Sequence, residues 1–347
     1  MVETRGLAGV DGERNGGARC DVRPDEGVFA AYVGLTASGY DLASFAAGEP
    51  MDGLVARIRA YSWPAELVTY FARARRTVRT VNPYWPRAFL LVAAALHLQA
   101  TAGDVRQVAD CVARLDIDST EKGPDSLAWL AGLPDMLARM RVALAFPAWW
   151  EGYLRIVHPL LADYARAALR ARHAIVRRTG VAATDLPPVV VVPNLLQAPE
   201  VVDFVVVNGI VHVIAALPAV ASVAHELLHH LFRSTIDAAG AEIAEHAAAY
   251  GPVRDAMLRS GYAWGDDVAS WRRAFEENLV RAATYWVVHG DSLPTREVED
   301  DRAAGFAYVP ALCERFVQGW RGPADIRTFI GECLDACAEQ ARSAGGG

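Results

Sequence analysis

The chain has 347 residues, of which 53% are hydrophobic and 22% charged, and its formal net charge is −7. That balance supplies enough apolar surface for a real core and excludes global disorder. It also offers neither the basic face that nucleic acid requires nor the Lys/Arg cluster that an anionic membrane attracts.

Residues 1–27 are rich in Gly, Arg and Asp with almost no apolar period, and are expected to form a disordered tail. They contain no apolar run of the kind a secretory leader needs. Five scattered cysteines (Cys20, Cys111, Cys313, Cys333, Cys337) read as reduced thiols, although Cys333 and Cys337 lie one helical turn apart. Together these features point to a cytoplasmic setting.

From residue 28 to 180 apolar residues recur at helical spacing, punctuated by Pro and Gly. "AFLLVAAALHL" (88–98) is too short to span a bilayer and reads as a buried core helix. A long helical pattern from Trp150 ends at Gly180, with Arg177 and Arg178 suited to its C-terminal dipole, and Pro159 should kink or divide it. Between 187 and 216 the period changes. "PPVVVVPNLL" is a Val-rich run bounded by prolines, and two β-rich runs flank Asn208-Gly209, a strong hairpin signal. A sheet of about three strands is expected. Helical spacing resumes with "PAVASVAHELLHHLF", in which Pro218 suits a first turn, and continues to a frayed "SAGGG" terminus.

The chemistry concentrates in His225-Glu226-Leu227-Leu228-His229. On a helix with 3.6 residues per turn, histidines four apart lie about 40° apart in projection, so both imidazoles can reach one ion. Glu226 is turned roughly 100° from His225, beside the ion but outside the ligand set, where it can act as a general base. Two neutral nitrogen ligands and a base on one rigid element suit a hydrolytic Zn²⁺ site. The competing reading is a core helix whose histidines are satisfied by ordinary hydrogen bonds.

A catalytic zinc site wants a third protein ligand. Thr235 and Phe232 stand where an extended three-histidine pattern would need His and Gly, and residues 248 and 249 are alanine. Glu242, Glu245 and His246 match no ligand spacing. The remaining candidates are the paired Glu276 and Glu277 in the apolar helix 270–288. Buried carboxylates need a positive partner, which is a metal ion or, for Glu277, Arg281 one turn on. Glu276 sits nearer the apolar stripe of Phe275, Leu279, Ala282 and Trp286, which favours it as the inward residue.

His225-Glu226-x-x-His229 followed by a glutamate on a later helix resembles the gluzincin metallopeptidases. It resembles in particular an uncharacterised bacterial family of HExxH proteins, in which a short sheet precedes the HExxH helix and a later helix reads E-x-L-V-R-A. Here the segments are "HELLHH" (225–230) and "ENLVRA" (277–282), and residues 27–45 are similar to an early segment of that family. The resemblance implies Glu277 as third metal ligand beside His225 and His229, Glu226 as the catalytic base, and Arg281 as a residue contacting substrate or supporting the ligands. His230 has no role in that pattern.

The expected architecture is therefore mainly α with a small β-sheet, an α+β fold with a zincin-like core. A helical region (28–180) would precede a metal-binding core (181–342), which holds a sheet at 187–216, the HExxH helix at 218–233 and the Glu helix at 270–288, all in one compact unit. The expected activity is hydrolysis of a peptide or protein substrate, with Arg281, Tyr285 or His289 as candidate oxyanion stabilisers. The alternatives are a hydrolase of other amides or esters, or a non-catalytic binding or regulatory protein that retains a structural or vestigial metal site.

Overall fold

The computed structural model describes residues 20–42, 51–75, 85, 87–100, 110, 124–143, 146–199, 201–260 and 267–345. Cys111 and residues 1–19 lie outside them. The described chain opens with β1 (Cys20–Val22), α1 (Glu26–Ala37), α2 (Met51–Ala60), α3 (Ala65–Ala72) and α4 (Ala88–Ala100). α5 (Pro124–Ala131), α6 (Leu133–Ala143), α7 (Phe146–Val157) and α8 (Leu161–Thr179) follow. Then come β2 (Val189–Pro193), β3 (Val202–Val207) and β4 (Ile210–Ala215). The chain finishes with α9 (Val220–Ala238), α10 (Gly240–Glu245), α11 (Gly251–Ser260), α12 (Val268–His289), α13 (Thr295–Ala303), α14 (Val309–Gly319) and α15 (Ile326–Gly345). The architecture is thus mainly helical with one small mixed sheet, and among the described residues no helix is long and apolar enough to cross a membrane.

The expected break at Pro159 takes the form of a 3₁₀ turn, His158–Leu160, between α7 and α8. α8 ends on Gly180 at φ 76°, a left-handed cap that glycine adopts without strain. Asn208 (φ 52°) and Gly209 (φ 76°) both occupy the left-handed region that a tight hairpin turn demands. The hairpin pairs Val202 with Ala215 through to Val207 with Ile210, antiparallel.

The structure departs from the sequence reading at both ends of the chain and before α9. The sheet has four strands in the order β1-β2-β4-β3, because Cys20–Val22, expected within the tail, pairs in parallel with Val189–Val191. Three residues are too few to register as a strand by alternation. Asp25 then caps α1, its carboxylate accepting from the Val28 amide at 2.8 Å, so order begins well before residue 28. At the other end α15 continues to Gly345, into the stretch expected to fray. Finally, Pro218 precedes α9 rather than occupying its first turn, which begins at Val220.

The sheet divides the core. β2 is buried along its whole length, and its alternation sends Val189 and Val191 to one side and Val190 and Val192 to the other. Val190, Val192, Val205, Val207 and Ile214 meet Phe29, Tyr32, Leu91 and Tyr153 from the N-terminal helices α1 to α7. Val189, Val191, Val211 and Val213 meet Ile175, Leu227, Phe275 and Leu334 from α8, α9, α12 and α15. The division between the layers therefore falls at the Pro159 turn, and α8 packs with the C-terminal elements rather than with the region expected to end at 180. Within that second layer α9 lies along α12, and this packing brings residues about fifty positions apart to one place.

Candidate metal centre

α9 displays His225 and His229 one turn apart on the face turned to α12. Their Nε2 atoms are 3.1 Å apart. Glu277 on α12 closes the triangle: Oε2 lies 3.2 Å from His229 Nε2, and Oε1 lies 3.7 Å from His225 Nε2. One donor atom from each residue falls within 4.8 Å of the others, a group able to hold a metal ion. Three lone-pair-bearing groups so close in a buried place repel unless a proton or a cation lies among them. Two imidazoles and a carboxylate are also a normal donor set for a divalent transition metal. The residues present fit such an ion.

Glu276 and Glu277 separate into different roles. Glu276 is almost wholly buried, and its Oε1 accepts from His229 Nδ1–H at 2.9 Å and from Arg233 at 2.9 Å. A carboxylate beside Nδ1 fixes the tautomer, so the Nε2 lone pair of His229 faces Glu277 and His225. The inward position favoured by the apolar stripe thus belongs to the residue that supports His229, while the slightly more open Glu277 joins the ligand group. Burial in α12 extends over nearly all its faces, from Trp271 and Phe275 to Asn278, Ala283 and Val287, so the stripe discriminates poorly.

Arg281 donates from Nε to Glu277 Oε1 at 2.8 Å, the pairing that one-turn spacing suggests. This does not compete with the ligand role, because Glu277 presents Oε2 toward His229 while Oε1 is held by the arginine. Arg281 Nη1 also donates to Asp301 Oδ1 at 2.7 Å, and Tyr285 Oη donates to Asp301 Oδ2 at 2.8 Å. His289 stands beside Tyr285 at the end of α12 and is not part of the ligand group. His230 is half-buried, and burial, helped by nearby Arg233, holds it below its usual pKa. Glu242 pairs with Arg327, and His246 with Asp335, away from the centre.

The electrostatics follow from burial. Burial opposes ionisation of Glu277, but Arg281 and then His225 outweigh it and hold the carboxyl well below its ordinary range. Burial likewise opposes protonation of His229, but hydrogen bonds to Glu276 and Glu277 overcome it and push the ring up to about 10. His225 is shifted downward, chiefly by burial. Glu226 is 6% exposed, and burial pushes it up to about 8. Among the described residues no side chain hydrogen-bonds this carboxyl group, which lies close to His229 and Glu277.

Two further neighbours carried no sequence signal. Phe204 on β3 lies nearly parallel to the His229 ring at 6.0 Å, which brings the outermost strand against the centre. Thr284, one helical repeat after Glu277, approaches His225 Nδ1 at 3.4 Å. Arg233 was recoverable in principle, since it stands four residues after His229 on the same helical face. No family model, no curated protein and no solved structure matches this chain.

Proposed function

We propose that this chain is a metal-dependent hydrolase of the gluzincin type, acting on peptide bonds with Zn²⁺ as its cation. The observation that carries the reading is the convergence of His225, His229 and Glu277 from two helices onto one point, with Glu226 beside it and outside the ligand group. When bound, the ion would polarise a substrate carbonyl and acidify a coordinated water. His225 Nε2, His229 Nε2 and Glu277 would hold it, and Glu226 would take the water proton and deliver it to the leaving amine. A nearby cation lowers the Glu226 pKa from the raised value that burial alone imposes, toward the range a general base needs.

Peptide substrates are favoured by β3. It is the last strand of the sheet, it pairs only with β4 among the described strands, and it runs beside α9 with Phe204 against His229. An extended chain could add to that edge by main-chain hydrogen bonds. Arg281 and Tyr285 are both engaged with Asp301, so they support the site from one side; a role for either at the oxyanion requires that engagement to loosen.

The test is metal analysis of the purified chain combined with peptide-library cleavage for wild type and Glu226→Gln. Stoichiometric zinc in both proteins, with cleavage reduced roughly 10²–10⁴-fold in the variant, is the expected result. Absence of any bound divalent ion, or cleavage indifferent to Glu226→Gln, overturns the reading. Selective iron uptake without hydrolysis also overturns it, since two histidines and a carboxylate equally serve non-haem Fe(II). Zinc without turnover is the result expected of the non-catalytic alternative.

A further inference from the structure

Asp301 belongs to none of the motifs in the sequence, yet it is 8% exposed, at the C-terminal end of the strongly polar helix α13. Both of its carboxylate oxygens are engaged by α12: Oδ1 by Arg281 at 2.7 Å and Oδ2 by the Tyr285 hydroxyl at 2.8 Å. Its backbone carbonyl accepts from Phe306 N at 3.0 Å, and this turn sets the Phe306 ring 3.8 Å from the guanidinium carbon of Arg281. The planar guanidinium is therefore fixed by Glu277, Asp301 and an aromatic face at once, which a flexible ammonium could not reproduce.

Resting on the metal-site reading above, we infer that Asp301 is a positioning residue that governs cation affinity through Arg281 and Glu277. Two effects lead to this. Geometrically, Asp301 anchors Arg281 so that its Nε holds Glu277 Oε1, leaving Oε2 directed at His229. Electrostatically, an arginine placed directly on a ligand carboxylate repels an incoming cation, and Asp301 offsets that charge within hydrogen-bond distance. Tyr285 steadies Asp301 without altering the charge. The arrangement extends outward from the ligand in the order Glu277, Arg281, Asp301, Tyr285, as outer partners commonly do around metal sites.

Asp301→Asn keeps an oxygen for Arg281 but removes the charge and the acceptor that the Tyr285 hydroxyl uses. Zn²⁺ affinity, measured by chelator competition on the full chain, should fall roughly 10–100-fold, and the visible spectrum of the Co²⁺-loaded chain should shift. The melting temperature of the metal-free variant should move by only a few degrees. Tyr285→Phe should weaken Zn²⁺ binding in the same direction by a smaller factor, and it decides the matter should Asp301→Asn fail to fold. Unchanged Zn²⁺ affinity and an unchanged Co²⁺ spectrum in the variants, against a wild type that binds both ions, overturn the positioning role alone. A wild type that takes up neither ion overturns the metal reading as well.

Discussion

Both faces of the sheet bury aromatic rings but treat charge differently. Toward the N-terminal helices the core closes with Phe29, Tyr32, Tyr40, Phe71, Phe146 and Tyr153, and its buried polar groups are mostly neutral and hydrogen-bonded. Tyr153 accepts from Leu195 N and donates to Pro193 O, and Tyr40 accepts from Ala198 N, so these rings pin the β2–β3 connection. Toward the C-terminal helices an equally apolar core, with Phe232, Trp271, Phe275 and Tyr308, also encloses Glu226, Glu276, Glu277, Arg281 and Asp301. Buried carboxylates on this scale oppose folding unless positive charge meets them. Arg233 and Arg281 meet part of that demand, and a bound cation would meet the rest. One face buries few charges and the other gathers them around His225, His229 and Glu277.

The sharpest way to break this contrast is to cut the ligand group. Glu277→Ala should lower Zn²⁺ affinity by about a thousandfold or more, whereas Glu276→Ala, which leaves all three donors in place, should cost roughly 10–100-fold by freeing the His229 ring. Calorimetric titration of both variants checks the ranking, and equal losses would mean the two glutamates share one role. On the opposite face, Phe29→Ala removes a ring stacked 4.5 Å from Tyr153 and should destabilise the fold by about 3–5 kcal/mol. Its Zn²⁺ affinity should match wild type, and a parallel loss of metal binding would show that the two faces are not independent.

The smallest effect sharpens the comparison at its boundary. Asp203 on β3 accepts from Gln197 at 2.8 Å, and burial pushes it up to about 7, only partly countered by that hydrogen bond. Between about pH 4 and pH 7 the folded chain then binds more protons than the unfolded one, so stability falls as pH rises through that window. Asp203→Asn keeps an oxygen for Gln197 and removes the titration. Urea unfolding should show the variant equal to wild type near pH 4 and more stable by about 2 kcal/mol at pH 8. A constant difference across pH would rule out this account.

How much of this was legible depended on how local the signal was. Asn208-Gly209, Pro159 and Gly180 act through their own backbone preferences, and each produced the feature its chemistry dictates. His225, Glu226 and His229 were legible because one turn of helix enforces their geometry. Glu277 against Glu276 was not decided by amphipathicity, because α12 is buried nearly all round; the "ENLVRA" resemblance pointed to the residue that the packing brings to the histidines. β1 is too short to alternate, and its partner lies about 170 positions away. Asp301 stands in "TREVEDDRA", where Glu297, Glu299, Asp300 and Asp301 look alike. Only the docking of α13 on α12 distinguishes it.

The position of β3 at the end of the sheet has one more consequence. Its sequence, Val202-Asp203-Phe204-Val205-Val206-Val207, is sticky, and Val206 is 40% exposed. A strand at the end of a sheet can pair with a second copy of itself, and self-association through such borders is a familiar route to insoluble protein. Asp203 is the lone charge on that border. An inward-pointing acid of this kind is a known deterrent to edge-to-edge stacking, so the same carboxyl that weakens the fold at alkaline pH guards its solubility.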